Sequence, residues 1–307
     1  MRLAVLDLGT HTLLSLIVET RGSGFSVLHE KERIVGLGKG VAITGAIPDD
    51  SLERALLALR EAVPALRTHK VDKVLFTATA VLRDAGNAAE VKARLEREAG
   101  LPVTVLSGDE EARLSYLACV RTFPNLKNLT GIDIGGGSVE FIEGEEGRIR
   151  KLVSLPLGVV KITERFLTGF PAKEKEMAAL DAHLHSTLSK ALTGYRKGRG
   201  AVLVGVAGTF TTAAAMELRM AEYDASRITG FALTRARVEA WLEKTARMDI
   251  EAQKKIPGLH PKRAGYIVAG FALMRAVYNA FDTDAIVISD AGLRYGVLYD
   301  WMERNKL

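Results

Sequence analysis

Arg2-Leu3-Ala4-Val5-Leu6-Asp7-Leu8-Gly9-Thr10-His11-Thr12-Leu13-Leu14-Ser15-Leu16-Ile17-Val18 opens the chain, and its reading decides the fold. Arg2–Asp7 is a short apolar strand that ends on an acid. Gly9 supplies a tight turn and Leu13–Val18 resumes the apolar run, so the segment predicts a β-hairpin. The pattern recurs at Gly131-Ile132-Asp133-Ile134-Gly135-Gly136-Gly137-Ser138-Val139-Glu140-Phe141-Ile142. Asp-x-Gly stands at Asp7–Gly9 and again at Asp133–Gly135. A hairpin repeated at this separation predicts two similar domains built from a duplicated unit.

The segments between the hairpins alternate in type. Asp49, Asp50 and Ser51 offer helix caps after Pro48, and Leu52, Leu56, Leu59 and Val63 recur at helical spacing. Strands are expected at Val71–Thr77, Val103–Leu106, Ala201–Val206 and Ala285–Ile288. Helices are expected over Ala88–Ala99, closed by Gly100, over Glu110–Val120, over Lys173–Arg196 and from Thr211. Such alternation predicts α/β layers. The boundary is expected in the polar stretch Asn125–Thr130 after Pro124, giving domains of residues 1–126 and 127–307.

Composition fits this division. A chain of 307 residues, 48% hydrophobic and 26% charged, can bury two cores without disulfides. Cys119 is the only cysteine, which excludes a disulfide framework and a cysteine zinc site and predicts a buried small residue. Met1–Leu6 is too short for a signal peptide and Tyr266–Met274 too short for a membrane span, so a cytoplasmic protein is expected. Residues 1–126 are neutral, with 16 basic and 16 acidic side chains, so the whole net charge of +5 falls in residues 127–307. That bias fits an anionic partner. No basic run interleaved with aromatics points to nucleic acid.

Two Gly turns carry the first functional signal. A hairpin turn rich in Gly and hydroxyl residues leaves backbone N–H groups free to hold phosphate oxygens, as Gly9, Thr10, His11 and Thr12 could, and Gly135, Gly136, Gly137 and Ser138 likewise. Gly36-x-Gly38-x-Gly40 is no dinucleotide fingerprint, because Val41 follows, and no P-loop lysine motif exists. Glu111 begins a helix in Ser107-Gly108-Asp109-Glu110-Glu111-Ala112-Arg113. It could polarise a water, but acids favour first helical turns for dipole reasons alone. Asp133 and Glu140 flank the second turn, where two hard oxygen ligands beside a phosphate suit magnesium. Each could equally be an ordinary strand-end charge.

These motifs, with Thr79-Ala80-Val81-Leu82-Arg83-Asp84-Ala85-Gly86-Asn87, Ser154-Leu155-Pro156-Leu157-Gly158, Val204-Gly205-Val206-Ala207-Gly208-Thr209 and Ser289-Asp290-Ala291-Gly292-Leu293-Arg294, resemble in order those of the exopolyphosphatase/guanosine pentaphosphatase (Ppx/GppA) family. The resemblance spans nearly the whole chain. It implies two ribonuclease H-like domains of the actin-like ATPase superfamily with an interdomain cleft. It implies that Glu111 is the catalytic base, that Arg83 clamps phosphate, and that Asp133 and Glu140 hold magnesium or manganese. Gly208 and Thr209 resemble the superfamily's second-domain phosphate or nucleoside loop. The implied substrate is inorganic polyphosphate or guanosine pentaphosphate; a non-catalytic sensor is the alternative of another class. A homodimer is a further expectation. The sequence departs from the family in having His11 where Asn is common, and it has no His-Asp doublet, which fits the short two-domain form. Lys161, Arg165, Arg196, Lys197 and Arg199 are candidates to hold the rest of a phosphate chain.

Overall fold

The opening hairpin forms as its sequence predicts. In the computed structural model, which describes residues 1–22, 24–198 and 202–307, β1 (Arg2–Leu8) runs antiparallel to β2 (Thr12–Arg21), with Asp7 opposite Leu14. A third strand, β3 (Gly24–Ile34), pairs with β2 and was not expected from the sequence. Its run His29-Glu30-Lys31-Glu32-Arg33 is charged because β3 is a sheet edge, where charge blocks pairing with other chains. After α1 (Val41–Thr44) and α2 (Asp49–Thr68) comes β4 (Lys73–Ala78), parallel to β1. α3 (Ala80–Asp84) and α4 (Ala88–Ala99) lead to the short β5 (Thr104–Val105) and to α5 (Gly108–Thr122). The sheet order is β3-β2-β1-β4-β5.

The second half repeats this plan. β6 (Asn128–Ile134), β7 (Val139–Glu145) and β8 (Arg148–Leu155) form an antiparallel meander. α6 (Val159–Phe166) and α7 (Glu174–Ala191) follow, then β9 (Val202–Val206), parallel to β6. Ala201, expected to start this strand, lies outside the described residues, as does Arg199. α8 (Ala207–Glu217), α9 (Ala225–Ile228), β10 (Ala232–Thr234), α10 (Arg235–Ala246), α11 (Ile250–Gln253) and α12 (Ile267–Phe281) precede β11 (Ala285–Ile288), which is parallel to β9. The order β10-β11-β9-β6-β7-β8 matches the first sheet strand for strand, with β10 added at one edge. The duplication read from the two hairpins is thus present in the topology, and each sheet with its helices has the ribonuclease H-like plan.

The packing divides the chain into Cys119–Gly292 and a unit made of Met1–Ala118 with Leu293–Leu307. The expected division had assigned α13 (Leu293–Arg304) to the second domain. The reason for the difference is the strand pleat, which sends alternate side chains to opposite faces. Ala4, Leu6 and Leu8 enter a core with Leu52, Leu56 and Leu59 of α2 and Val91 and Leu95 of α4. Leu3 and Val5, with Leu16 and Val18, face the other way and are covered by Leu114 of α5 and by Leu293, Val297, Leu298 and Met302 of α13. Gly296 makes that seat, since a Cβ there would overlap the Leu114 carbonyl. Arg113–Asp300 at 2.8 Å and Arg294–Glu30 at 2.6 Å pin the same helix. In the second unit α12 supplies the centre of the core through Phe271, Leu273, Met274, Val277, Tyr278 and Phe281.

Candidate active site

The first turn hangs from β1 and β2. Gly9 N–H donates to the Thr12 carbonyl at 2.8 Å and closes it. The Thr10 carbonyl accepts from Gly38 N–H at 2.8 Å, and the His11 carbonyl accepts from Val35 and Gly36 N–H, both at 2.9 Å. A trans peptide holds its N–H opposite its C=O, so the His11 N–H, across the peptide from the Thr10 carbonyl, points away from this backing. Gly38 has to be glycine, because a Cβ would overlap Thr10 Cγ2. The Gly36–Gly40 run, set aside in the sequence as a failed nucleotide fingerprint, is therefore the strut behind the turn. Thr10 Oγ1 is buried and has no hydrogen-bond partner among the described residues, so a partner for it has to come from outside them.

The second turn is built alike. Gly135 N–H donates to the Ser138 carbonyl at 3.1 Å. The carbonyls of Gly135 and Gly136 accept from Val159 and Val160 N–H at the start of α6, both at 3.0 Å. The same peptide geometry turns the Gly136 and Gly137 N–H groups away from α6. Gly158 is the counterpart of Gly38: its Cβ would overlap the backbone of Gly136 and Gly137. Ser138 is buried. A backbone donor pair held from behind is a ready anion cradle.

Asp133 and Glu140 lie directly opposite each other on β6 and β7. Opposed residues of an antiparallel pair share a sheet face, so the two carboxylates are neighbours beside the turn. They are 5% and 0% exposed. Ser154, opposite Glu140 on β8, donates to Glu140 Oε1 at 2.7 Å and fixes the carboxylate's orientation. Two buried hard-oxygen donors at a phosphate-type turn fit a magnesium-type ion, which takes few protein ligands and fills its shell with water and phosphate oxygens. Among the described residues no group of three or more His, Cys, Asp or Glu is gathered for a metal. The first unit has Asp7 at the matching position, but Leu14 stands opposite it, so only the second unit carries the pair. Cys119 is fully buried, and burial, with the Asp133 charge second, pushes its thiol up.

Glu111 and Arg83 meet in the first unit. Ser107 and Glu110 form a capping box at the start of α5: Ser107 N–H donates to Glu110 Oε2 at 2.9 Å and Glu110 N–H donates to Ser107 Oγ at 3.2 Å. Glu110 is thereby spent on the helix end, and the next side chain, Glu111, is turned inward. Its carboxylate Oε2 accepts from Arg83 Nη1 at 2.6 Å, and the same nitrogen donates to the Leu106 carbonyl at 2.8 Å. The side chains are 10% and 19% exposed. The sequence treated Arg83 and Glu111 as independent; the fold makes them a charge-assisted pair.

Gly208 and Thr209 begin α8, which is entered through Ala207 in the left-handed region at φ 69°. Thr209 Oγ1 donates to the Ile134 carbonyl at 2.8 Å, so its hydroxyl ties α8 to the strand before the second turn. Arg263, which sequence reasoning missed, donates to the Gly208 carbonyl and, at 2.7 Å, to Thr212 Oγ1. It occupies the space a Gly208 Cβ would need.

The basic candidates separate. Lys161 and Arg165 lie on α6, whose first amides hold the second turn. Arg196 and Lys197 precede β9, which starts opposite Leu129 and ends opposite Asp133. They therefore sit at the far end of the sheet from the turn, about 20 Å away at 3.3 Å per strand residue. Arg196 is moreover paired with Glu145 at 3.3 Å.

The model of the Ppx/GppA phosphatase family matches residues 16–305. The bifunctional 3-dehydroquinate synthase/phosphatase of Fusobacterium nucleatum is 28% identical over 315 residues, covering 98% of this chain and 47% of that protein. The chain thus spans about half the length of this curated relative. The crystal structure of the Aquifex aeolicus Ppx/GppA family member is 31% identical and superposes with a TM-score of 0.83, covering 100% of this chain and 99% of that one. An exopolyphosphatase structure from Cytophaga hutchinsonii is 27% identical with a TM-score of 0.90, covering 99% and 98%. With the repeated ribonuclease H-like sheets and the paired Gly turns already in place, the match over residues 16–305 means that the chain belongs to the Ppx/GppA phosphatase family.

Proposed function

We propose that this chain is an exopolyphosphatase that hydrolyses the terminal phosphate of inorganic polyphosphate. The observation that carries the reading is the buried Glu111 carboxylate held by Arg83 at 2.6 Å. A buried carboxylate oriented by a guanidinium at the start of a helix suits the part of a general base toward a water. In this reading Glu111 takes the proton of the water attacking phosphorus in line, and Arg83 offsets charge on the transferring group as well as orienting the base. Each unit has its own cradle for phosphate oxygens: the His11 N–H and the Thr10 hydroxyl in the first, and the Gly136 and Gly137 N–H groups in the second. Asp133 and Glu140 would hold a magnesium or manganese ion, which when bound neutralises phosphate charge.

Polyphosphate is favoured over guanosine pentaphosphate by Lys161 and Arg165 on the helix that backs the second turn, which suit a chain of further phosphates rather than a nucleoside. Cytoplasmic location and homodimer formation belong to the same proposal; among the described residues no helix is long and apolar enough to cross a membrane. The test is phosphate release from long polyphosphate, guanosine pentaphosphate and ATP in parallel. The expected order puts long polyphosphate first. Release from the pentaphosphate alone would assign the same site to the nucleotide, and release from none would leave a sensor.

A further inference from the structure

A cavity of about 750 Å³ opens on the second unit, among the C-terminal end of α8, the face of α10 and the α11 segment. None of its lining residues belongs to the machinery described above. Gly208 and Thr209 lie at the other end of α8, about 12 Å away at 1.5 Å per helical residue. Its size is that of a small-molecule site.

Its chemistry is two-sided. Arg219, Lys244 and Lys255 line it, and none of the three has a carboxylate partner among the described residues. The one acid on the wall, Glu217, is already committed. It bonds Arg237 at 3.3 Å and accepts from Trp241 Nε1 at 2.9 Å. The remainder is apolar and includes Trp241, Met248 and Pro257. Trp241 is rigid: it stacks on Phe271 at 6.3 Å and 7°, and Lys244 Nζ rests 4.8 Å from its centroid. The Pro257 wall is equally fixed, because Gly258, at φ 84°, packs against the α8 backbone at Ala215 where no Cβ fits. A preformed wall with a cationic side and a flat apolar side matches a ligand that has both a polyanion and a ring system.

We propose that this cavity is a second ligand site, for a nucleoside polyphosphate. The phosphates meet Arg219, Lys244 and Lys255, and the base lies against Met248 and Pro257, beside Trp241. The methionine is an adaptable partner for an aromatic ring. A cation that already lies over an indole is placed to bridge that ring to a phosphate. An inorganic phosphate chain would use the cations and leave the apolar side unfilled.

The chain holds two tryptophans, Trp241 and Trp301. Trp301→Phe leaves Trp241 as the single reporter in the cavity. Titration of this variant with the β,γ-imido analogues of ATP and GTP should give a saturable fluorescence change with a midpoint between about 10 µM and 1 mM. Inorganic tripolyphosphate, at least as highly charged and lacking a base, should bind about tenfold more weakly or worse. Lys244→Glu with Lys255→Glu, both exposed, should weaken nucleotide binding about tenfold or more while leaving phosphate release from polyphosphate unchanged. Ala240→Phe fills the cavity from an exposed helix position and should abolish the response with the circular dichroism intact. The inference is overturned by no saturable change, by tripolyphosphate binding as well as the nucleotides, or by affinity that ignores the charge reversal or the filled cavity. The readout does not depend on hydrolysis, so it stands or falls apart from the proposed activity.

Discussion

Gly158→Ala adds one methyl group closer than 3.0 Å to backbone atoms of both Gly136 and Gly137. Carbon atoms separate to about 3.5–4.0 Å at rest, so the turn or the start of α6 has to move by about 1 Å. The Val159 and Val160 amides tie α6 to that turn, and the displacement passes directly to the Gly136 and Gly137 N–H groups. A 1 Å misplacement of a positioning group costs about 10²-fold in rate. The overpacking itself costs about 1–3 kcal/mol, and Tm falls by about 2–4 °C for each kcal/mol in a chain of this class. Phosphate release from long polyphosphate and differential scanning calorimetry read the two effects. Gly169→Ala is the control, since its Cβ meets nothing within 4 Å; it should leave both values near wild type. Wild-type kcat/KM in Gly158→Ala, with Tm lowered, would show that the turn does not hold the reacting phosphate.

Glu111→Gln should lower kcat by about 10²–10⁴ while polyphosphate still binds, as stopped-flow turnover and equilibrium dialysis would record; near-normal kcat removes it as the base. Asp133→Asn and exhaustive EDTA should each abolish release, with magnesium restoring only the EDTA-treated protein; full activity in EDTA refutes the metal. Lys161→Ala with Arg165→Ala should flatten the fall of KM with polyphosphate length at low salt, while Lys197→Ala should not, and equal effects would discard the α6 track. Stability should decline above pH 9, the ordinary value for the thiol. Burial pushes the thiol of Cys119 up, Tyr195 up to about 12 and Tyr278 up as well. The unfolded chain then releases protons that the folded chain retains, so unfolding gains with rising pH. A flat urea midpoint from pH 8 to about 11 would contradict this.

Most of this architecture can be read from the chain because its signals are local. Asp7–Gly9 and Asp133–Gly135 announce two hairpins by composition alone, and Ser107 with Glu110 announces the start of α5. Distant pairings carry no such mark. The apolar face of α13 shows that the helix is covered, but not that Leu3 and Val5 cover it. Gly36 and Gly38 gain their meaning only from the Thr10 and His11 carbonyls, which reach them across the hairpin. Gly158 occupies the same place after β8 that Gly38 occupies after β3, and comparison of the two halves would have exposed both. Arg83 and Glu111 sit on separate helices, so their pairing needed the fold. The position of Arg196 and Lys197 depends on strand direction, which net charge does not encode.

The return of α13 to the first sheet bears on how the chain is made. Synthesis runs from the amino end, so Leu3, Val5, Leu16 and Val18 emerge from the ribosome long before the helix that covers them. The whole of Cys119–Gly292 has to be translated in between, a delay of roughly 10–35 s at about 5–20 residues per second. During that interval the second unit can complete its own core, while the first presents a greasy sheet face to water. A nascent chain stalled short of Leu293 is consequently a chaperone client with one finished unit and one unfinished, and premature termination within α13 exposes a surface that association with other chains would cover.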